Sequence, residues 1–151
     1  MISWTIEAAL KSQIFDDVIV STDDAEIAET AKNFGASVPF LRNSYADDYS
    51  TVSDVVIYTL KKLKEFNSEK FDNVFQLMPN CPLRGTDEIN AAWQFFSQGT
   101  HDFQISSFKY GWMNPWWASS ISNTGHPNPI FKNQSIKRSQ DLQTLYCPTG
   151  A

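Results

Sequence analysis

Short apolar runs alternate with stretches of helical periodicity along this chain, and capping residues or a glycine mark many of the switches. Residues 17–21 ("DVIVS") form a β-branched run that predicts a buried strand. Asp23 and Glu26 then stand at capping-box spacing, Ile27, Ala28, Ala31 and Phe34 make a stripe, and Gly35 occupies the place of a C′ glycine. Residues 37–40 read as extended and residues 42–50 as a polar loop. Thr51 with Asp54 opens another helix carrying Val52, Val56, Leu60 and Leu63 inward, its "KKLK" run being a solvated face. Residues 74–78 predict a strand, Thr86 caps a helix with Ile89, Ala92, Trp93 and Phe96 on one face, and residues 103–108 predict a further strand. Helices of this length between strands imply right-handed crossovers. The expected class is therefore α/β, with three layers and a mostly parallel sheet flanked by helices.

The chain opens inside a periodic segment, with Ile2, Ile6, Ala9 and Leu10 on one helical face, and stops at Pro148, Thr149, Gly150 and Ala151 without a closing helix. Both ends are expected to be cuts, so residues 1–151 are read as a single partial domain. The length of 151 residues, with 42% hydrophobic and 19% charged, suffices for a packed core and argues against global disorder. A formal charge of -5 without a basic stripe argues against nucleic acid as a partner, though a local pocket for one small anion remains compatible. Cys81 and Cys147 form neither a disulfide framework nor the paired spacing of a zinc site, which fits a reducing compartment. With no secretory signal and no apolar run of membrane length, the expected location is the cytoplasm and no membrane is involved.

In a parallel sheet, ligands gather beyond the carboxyl ends of the strands, where loops are free and helix N-termini offer donors. Two such ends carry "STDD" (residues 21–24) and "PNCPLRG" (residues 79–85). Pro79 and Pro82 fix two φ angles and remove two donors, more than a bare turn requires. A loop stiffened in this way can aim backbone groups at a polar ring or ribose, with Arg84 meeting a carboxylate or phosphate. The competing reading is a stiff strand-to-helix connection with Arg84 in solvent. Asp23 and Asp24 read as caps rather than metal ligands, and His101 and His126 sit in polar turns without an assigned role.

The run "SWTIEAALKSQIFDDVIVSTDDAEIAETAKNFGASVPFLR" and the later "LMPNCPLRG" closely resemble the acylneuraminate cytidylyltransferases, the synthetases of CMP-sialic acid and related CMP-nonulosonates. The resemblance covers nearly the whole chain. It implies a Rossmann-like nucleotidyltransferase fold and transfer of CMP from CTP to an acidic nine-carbon sugar, with release of pyrophosphate. Mg²⁺ and cationic groups must neutralise the triphosphate during attack on its α-phosphorus. The family's glycine-rich phosphate loop is expected before Met1 and its metal-binding carboxylates beyond Ala151. Mg²⁺ would thus be held outside this fragment, in which no metal ligand and no catalytic residue is assigned. A piece lacking those parts is expected to be inactive by itself, with only a structural or partial ligand-binding role as the alternative to the enzyme reading. A receiver domain and an Asp-x-Asp glycosyltransferase are disfavoured, because neither the receiver's aspartate–lysine pair nor the Asp-x-Asp is present.

Residue by residue, the resemblance places Arg42 against the cytosine base and Ser50 and Thr51 in the lining of the base pocket. Pro79, Asn80 and Cys81 match the family's Pro-Thr-Ser, which borders nucleotide and sugar, and Arg84 completes that loop. Pro79 and Asn80 are assigned to the nucleotide, Cys81 and Arg84 to the sugar. Met78 replaces a glutamine frequent among sialic acid synthetases, which points away from N-acetylneuraminate itself as substrate. Arg138 and Gln140 resemble the segment that approaches the acidic sugar. Cys147 and Thr149 replace a usual arginine and asparagine. Neither Cys81 nor Cys147 is expected to be a nucleophile, since no catalytic histidine accompanies them. The aromatic stretch "YGWMNPWWASSI" opens a candidate dimerisation arm at residues 110–135, with Trp112, Trp116 and Trp117 near the contact of a homodimer.

Overall fold

The computed structural model describes residues 1–47, 49–68 and 70–149, with Asn67 described by its backbone alone. The expectations touching Asp48 in the polar loop and Gly150 and Ala151 at the terminus lie outside the described residues. The fold is mixed α/β. Among the described residues four helices, α1 (Ile2–Ser12), α2 (Ala25–Asn33), α3 (Val52–Asn67) and α4 (Thr86–Gln98), precede four short strands, β1 (Ser107–Lys109), β2 (Ser119–Ile121), β3 (Pro127–Pro129) and β4 (Tyr146–Pro148). The chain divides into two compact units, the first being Met1–Asp102 and the second beginning at Phe103.

In the first unit the periodic apolar positions become a small-residue core. Ile6 from α1, Ala28 and Ala31 from α2, and Ala36 and Val38 beyond it are buried together, with Ile2, Val18 and Val20 packed against them. Alanine lets the helix backbone approach closely, and Ala31 is fully buried at 0% exposure. The flanks of the expected stripe, Ile27 and Phe34, are instead each 42% exposed. Val52 likewise points outward because it starts the first turn of α3, directly after the cap Thr51. Gly35 has φ 92°, the left-handed conformation foreseen for a residue closing α2.

Around that core, residues 17–21 and 37–40 lie side by side as the sequence implies. Ile19 and Ser37 form a parallel bridge. Val20 N donates to Ser37 O at 2.9 Å, Ser37 N to Val18 O at 2.8 Å, and Arg42 N to Thr22 O at 2.7 Å. This single bridge is the parallel pairing found among the described residues, in place of the mostly parallel sheet expected. Residues 73–78 run without assigned secondary structure or a described ladder, although Phe75 meets Phe15 edge-on at 5.5 Å. A parallel pair with a neighbour on one side gains little, so a continuous ladder is not sustained by these segments alone.

The second unit is antiparallel. Its β1 pairs with β4, Phe108 opposite Cys147, and β2 pairs with β3, Ser120 opposite Asn128. The strand expected over residues 103–108 therefore shifts to Ser107–Lys109. No helix longer than a single 3₁₀ turn separates β1 from β4 among the described residues, so the chain returns without a crossover and the pairing is antiparallel. Asn114 caps one such turn, Pro115–Trp117, by accepting from Trp116 N at 3.0 Å. The Trp116 indole donates to Gln143 O at 2.9 Å and its ring meets Phe131 edge-on at 5.1 Å.

The tight fit around Ala31 has a measurable consequence. In the full-length protein Ala31→Leu should overpack the α1–α2 contact and cost about 1–3 kcal/mol in denaturant unfolding. Ile27→Ala, at the exposed edge, should change stability by less than about 0.5 kcal/mol.

Candidate functional site

The turn at residues 21–24 ends the bridged segment and starts α2. Asp24, one residue later than the capping spacing suggested, is the N-cap: its Oδ1 accepts from Glu26 N at 2.7 Å and Ile27 N at 2.9 Å. Thr22 is buried, and its hydroxyl accepts from Asp24 N at 3.1 Å. This frees Asp23 for another task. Its Oδ1 accepts from Arg42 Nη2 at 3.2 Å, while Arg42 Nη1 donates to Ser21 O at 3.1 Å. The Ser21 hydroxyl lies 2.9 Å from Thr59 Oγ1, which ties α3 to the same turn.

Ser50 and Thr51 stand at the start of α3 with both hydroxyls engaged. Ser50 Oγ donates to Asp47 Oδ2 at 2.8 Å, and Asp47 Oδ1 accepts from Tyr49 N and Ser50 N, each at 2.8 Å. The Ser50 hydroxyl first, and the Tyr49 amide next, hold the Asp47 carboxyl below its usual range. Thr51 Oγ1 accepts from Asp54 N at 3.2 Å and donates to Asp54 Oδ2 at 2.6 Å. Tyr45 takes a left-handed φ of 56° in this loop, its ring against Tyr58 at 5.6 Å, and the Tyr58 hydroxyl donates to Asn43 Oδ1 at 2.6 Å.

In the proline-braced loop, residues 79–80 and 82–83 form turns, and Arg84 N donates back to Cys81 O at 3.2 Å. The Arg84 side chain folds under the loop, with Nη2 donating to Met78 O at 2.8 Å. Its Nε and Nη1 are buried without a hydrogen-bond partner among the described residues. Arg84 is thus no solvent-exposed arginine. Gly85, not Thr86, is the N-cap of α4, and Glu88 reaches back to accept from Gly85 N at 2.8 Å. Thr86 Oγ1 instead donates to Ala8 O at 3.4 Å, anchoring the loop's end to α1.

Arg138 and Gln140 belong to the second unit, at a 3₁₀ turn over Ser139–Asp141. Arg138 is exposed and forks onto Asp141, with Nε to Oδ2 at 2.8 Å and Nη2 to Oδ1 at 3.2 Å. Gln140 is exposed beside it. Cys147 shares a hydrogen bond with the Tyr110 phenol that holds the phenol above its usual value. Within the first unit the structure therefore brings Arg42 onto the 21–24 turn, couples α3 to that turn through Thr59, and folds residues 78–84 around the Arg84 guanidinium. A cleft of about 420 Å³ lined by Asp17, Lys32, Ala36, Ser37, Val38, Pro39 and Leu63 contains none of the nucleotide- or sugar-site candidates assigned from sequence.

Among the described residues no group of three or more His, Cys, Asp and Glu side chains is arranged to hold a metal ion. No helix of the described residues is long and apolar enough to cross a membrane.

A family model described as cytidylyltransferase matches residues 1–146. The chain belongs to the cytidylyltransferase family. It is 34% identical over its whole length to the pseudaminic acid cytidylyltransferase of Campylobacter jejuni, covering 65% of that protein. It is 35% identical over 97% of its length to the CMP-N,N'-diacetyllegionaminic acid synthase of Legionella pneumophila, covering 60% of it. It is 33% identical over its whole length to the N-acylneuraminate cytidylyltransferase of Streptococcus agalactiae, covering 36% of it. This cytidylyltransferase chain therefore spans about two thirds or less of these relatives.

Sequence reasoning gave Asp23 of this cytidylyltransferase chain only a capping role and left Asp47 unassigned, although both acids organise its loops. The spacing of Asp47 ahead of Ser50 is an Asx-type signal that was available, whereas the pairing of Asp23 with Arg42 spans 19 residues and leaves no local trace. Two tests follow from these geometries in the full-length protein. A carboxyl with a lowered folded-state pKa stabilises above its unfolded value near 3.8, and that contribution is lost as pH falls through the folded value. The melting-temperature gap between wild type and Asp47→Asn should therefore be open at neutral pH and close on acidification below that point. Arg84→Ala should lower stability by about 1.5–3 kcal/mol, the range for a hydrogen bond to a charged group. Activity should fall together with the melting temperature, whereas an arginine serving only as surface would shift stability by less than about 0.5 kcal/mol.

Proposed function

We propose that the intact protein transfers a cytidylyl group from CTP to the anomeric hydroxyl of an acidic nine-carbon sugar. The observation that carries this reading is the family match over residues 1–146, joined to relatives whose names specify pseudaminic, diacetyllegionaminic and N-acylneuraminic acids. In the reaction the sugar hydroxyl oxygen bonds to the α-phosphorus, the bond from that phosphorus to the bridging oxygen breaks, and pyrophosphate leaves. The hydroxyl proton is lost as the ester forms. Mg²⁺ belongs to this reading as the counter-ion of the triphosphate, with ligands other than the described residues.

Arg42 is assigned to the cytosine base, whose O2 and N3 are acceptors suited to guanidinium donors. Its attachment to Ser21 and Asp23 supports this, because a ligand contact gains from a donor that is already fixed. Ser50 and Thr51 border the base by their position at the head of α3, and Pro79 and Asn80 border the nucleotide. Cys81 and Arg84 are assigned to the sugar from the same loop, and the family resemblance likewise assigns Arg138 and Gln140 to the sugar. A homodimer through residues 110–135 is supported by the exposure of Trp112 and Ile121. A cytoplasmic location suits an enzyme that consumes CTP.

Full-length protein supplied with CTP, Mg²⁺ and a panel of nonulosonic acids should release pyrophosphate and form a CMP-sugar. Turnover of a neutral sugar phosphate in place of every acidic sugar would overturn the assignment. Absence of turnover with any sugar would favour a role confined to structure or partial ligand binding.

A further inference from the structure

We propose that Asp23 is a positioning residue that locks the Arg42 guanidinium in the orientation from which its remaining N–H groups meet the nucleotide's base. The inference rests on the reading of Arg42 as the base contact and adds the residue through which that contact is set.

Arg42 is held at three points by three consecutive residues. Its backbone N–H donates to Thr22 O at 2.7 Å, its Nη1 to Ser21 O at 3.1 Å and its Nη2 to Asp23 Oδ1 at 3.2 Å. Anchors on two different terminal nitrogens define the plane of the guanidinium, whereas one anchor would leave it free to swing. Each of those nitrogens carries two N–H groups, so one on each remains for a ligand. The side chain is only 14% exposed, and Arg42 Nε is buried without a partner among the described residues. Burying a donor in that way is unfavourable, so the orientation is imposed by the neighbours and not chosen by Nε.

Asp23 is suited to impose it. The adjacent carboxylate, Asp24, is committed to the first amides of α2. Thr22 is buried and bonded to Asp24 N, so the backbone that presents Asp23 is itself fixed. The Asp23 side chain is 48% exposed, however, and a half-exposed ion pair adds little to folding. Its consequence therefore lies in where Arg42 points, a term that enters ligand affinity more than stability.

The test is a double-mutant cycle in the full-length protein, reading equilibrium affinity for CTP and for inorganic tripolyphosphate, with melting temperature alongside. Asp23→Ala should weaken CTP about fivefold, the upper range for such a pair, while leaving tripolyphosphate affinity and melting temperature unchanged. Asp23→Glu should recover part of the loss. Arg42→Ala should weaken CTP by about tenfold or more, and adding Asp23→Ala to it should cost nothing further. Additive losses, or equal losses for CTP and tripolyphosphate, would show that Asp23 acts only through folding of the turn and would overturn the inference. Unchanged CTP affinity in Asp23→Ala would overturn it too. Wild-type CTP affinity in Arg42→Ala would remove the base contact and the inference with it, yet leave the proposed reaction standing wherever pyrophosphate is still released. A wild-type protein that binds no CTP would instead bring down the functional reading itself.

Discussion

The methyl group of Ala31 fixes how closely α2 approaches its neighbours, and the arrangement of the first unit follows from that distance. With Ala28 and Ala36 it forms a patch of small side chains against Ile6, so the backbone leaving α2 at Gly35 passes near the backbone entering it. That nearness is what allows Ser37 to bridge Ile19, and the line of hydrogen bonds then runs on to Thr22 and Arg42. A larger residue at the centre would separate the two segments before their polar groups could meet. Packing here decides where the polar chemistry stands.

Carboxylates at the loop-to-helix junctions of the first unit accept from backbone amides. Asp24 and Glu88 each satisfy donors at the start of a helix, and Asp47 does the same for the loop ahead of α3. Donors at helix starts lack intrahelical partners, and an acidic group there also meets the favourable end of the helix dipole. The two arginines of interest, Arg42 and Arg84, are correspondingly bonded to carbonyls, with one carboxylate between them. The loops at residues 21–24 and 79–85 are thus held by side chains that reach main-chain groups, a design that fixes backbone shape without a buried network of charges.

Much of this was legible in the sequence because it is local. The four helices, the Thr51 cap and the Gly35 turn rest on spacings of three to four residues, and the side-by-side course of residues 17–21 and 37–40 follows from the strand–helix–strand pattern. What escaped was either a choice between adjacent candidates or a pairing across distance. Asp23 and Asp24 offer the same carboxylate to the same helix, and only the φ and ψ of the turn select Asp24. Gly85 displaces Thr86 as cap in the same way, freeing the threonine hydroxyl for Ala8. Beyond the parallel bridge of Ile19 with Ser37 no parallel ladder is found among the described residues, and an apolar run such as residues 74–78 announces a strand without announcing its neighbours. For the candidate site, residue types were readable, but the bonds that occupy Ser50 and Arg138 were not.

The anchors of the two arginines have a consequence for how such a chain tolerates change. Ser21 and Met78 hold Arg42 and Arg84 through main-chain oxygens, which every amino acid possesses. The side chain at position 78 is therefore uncoupled from the job its own carbonyl performs. Methionine can stand there, or glutamine, and the guanidinium beneath the loop keeps its hold. Sequence drift at position 78 therefore leaves the scaffold under the loop unchanged, because the carbonyl that holds Arg84 is common to every residue that could stand there.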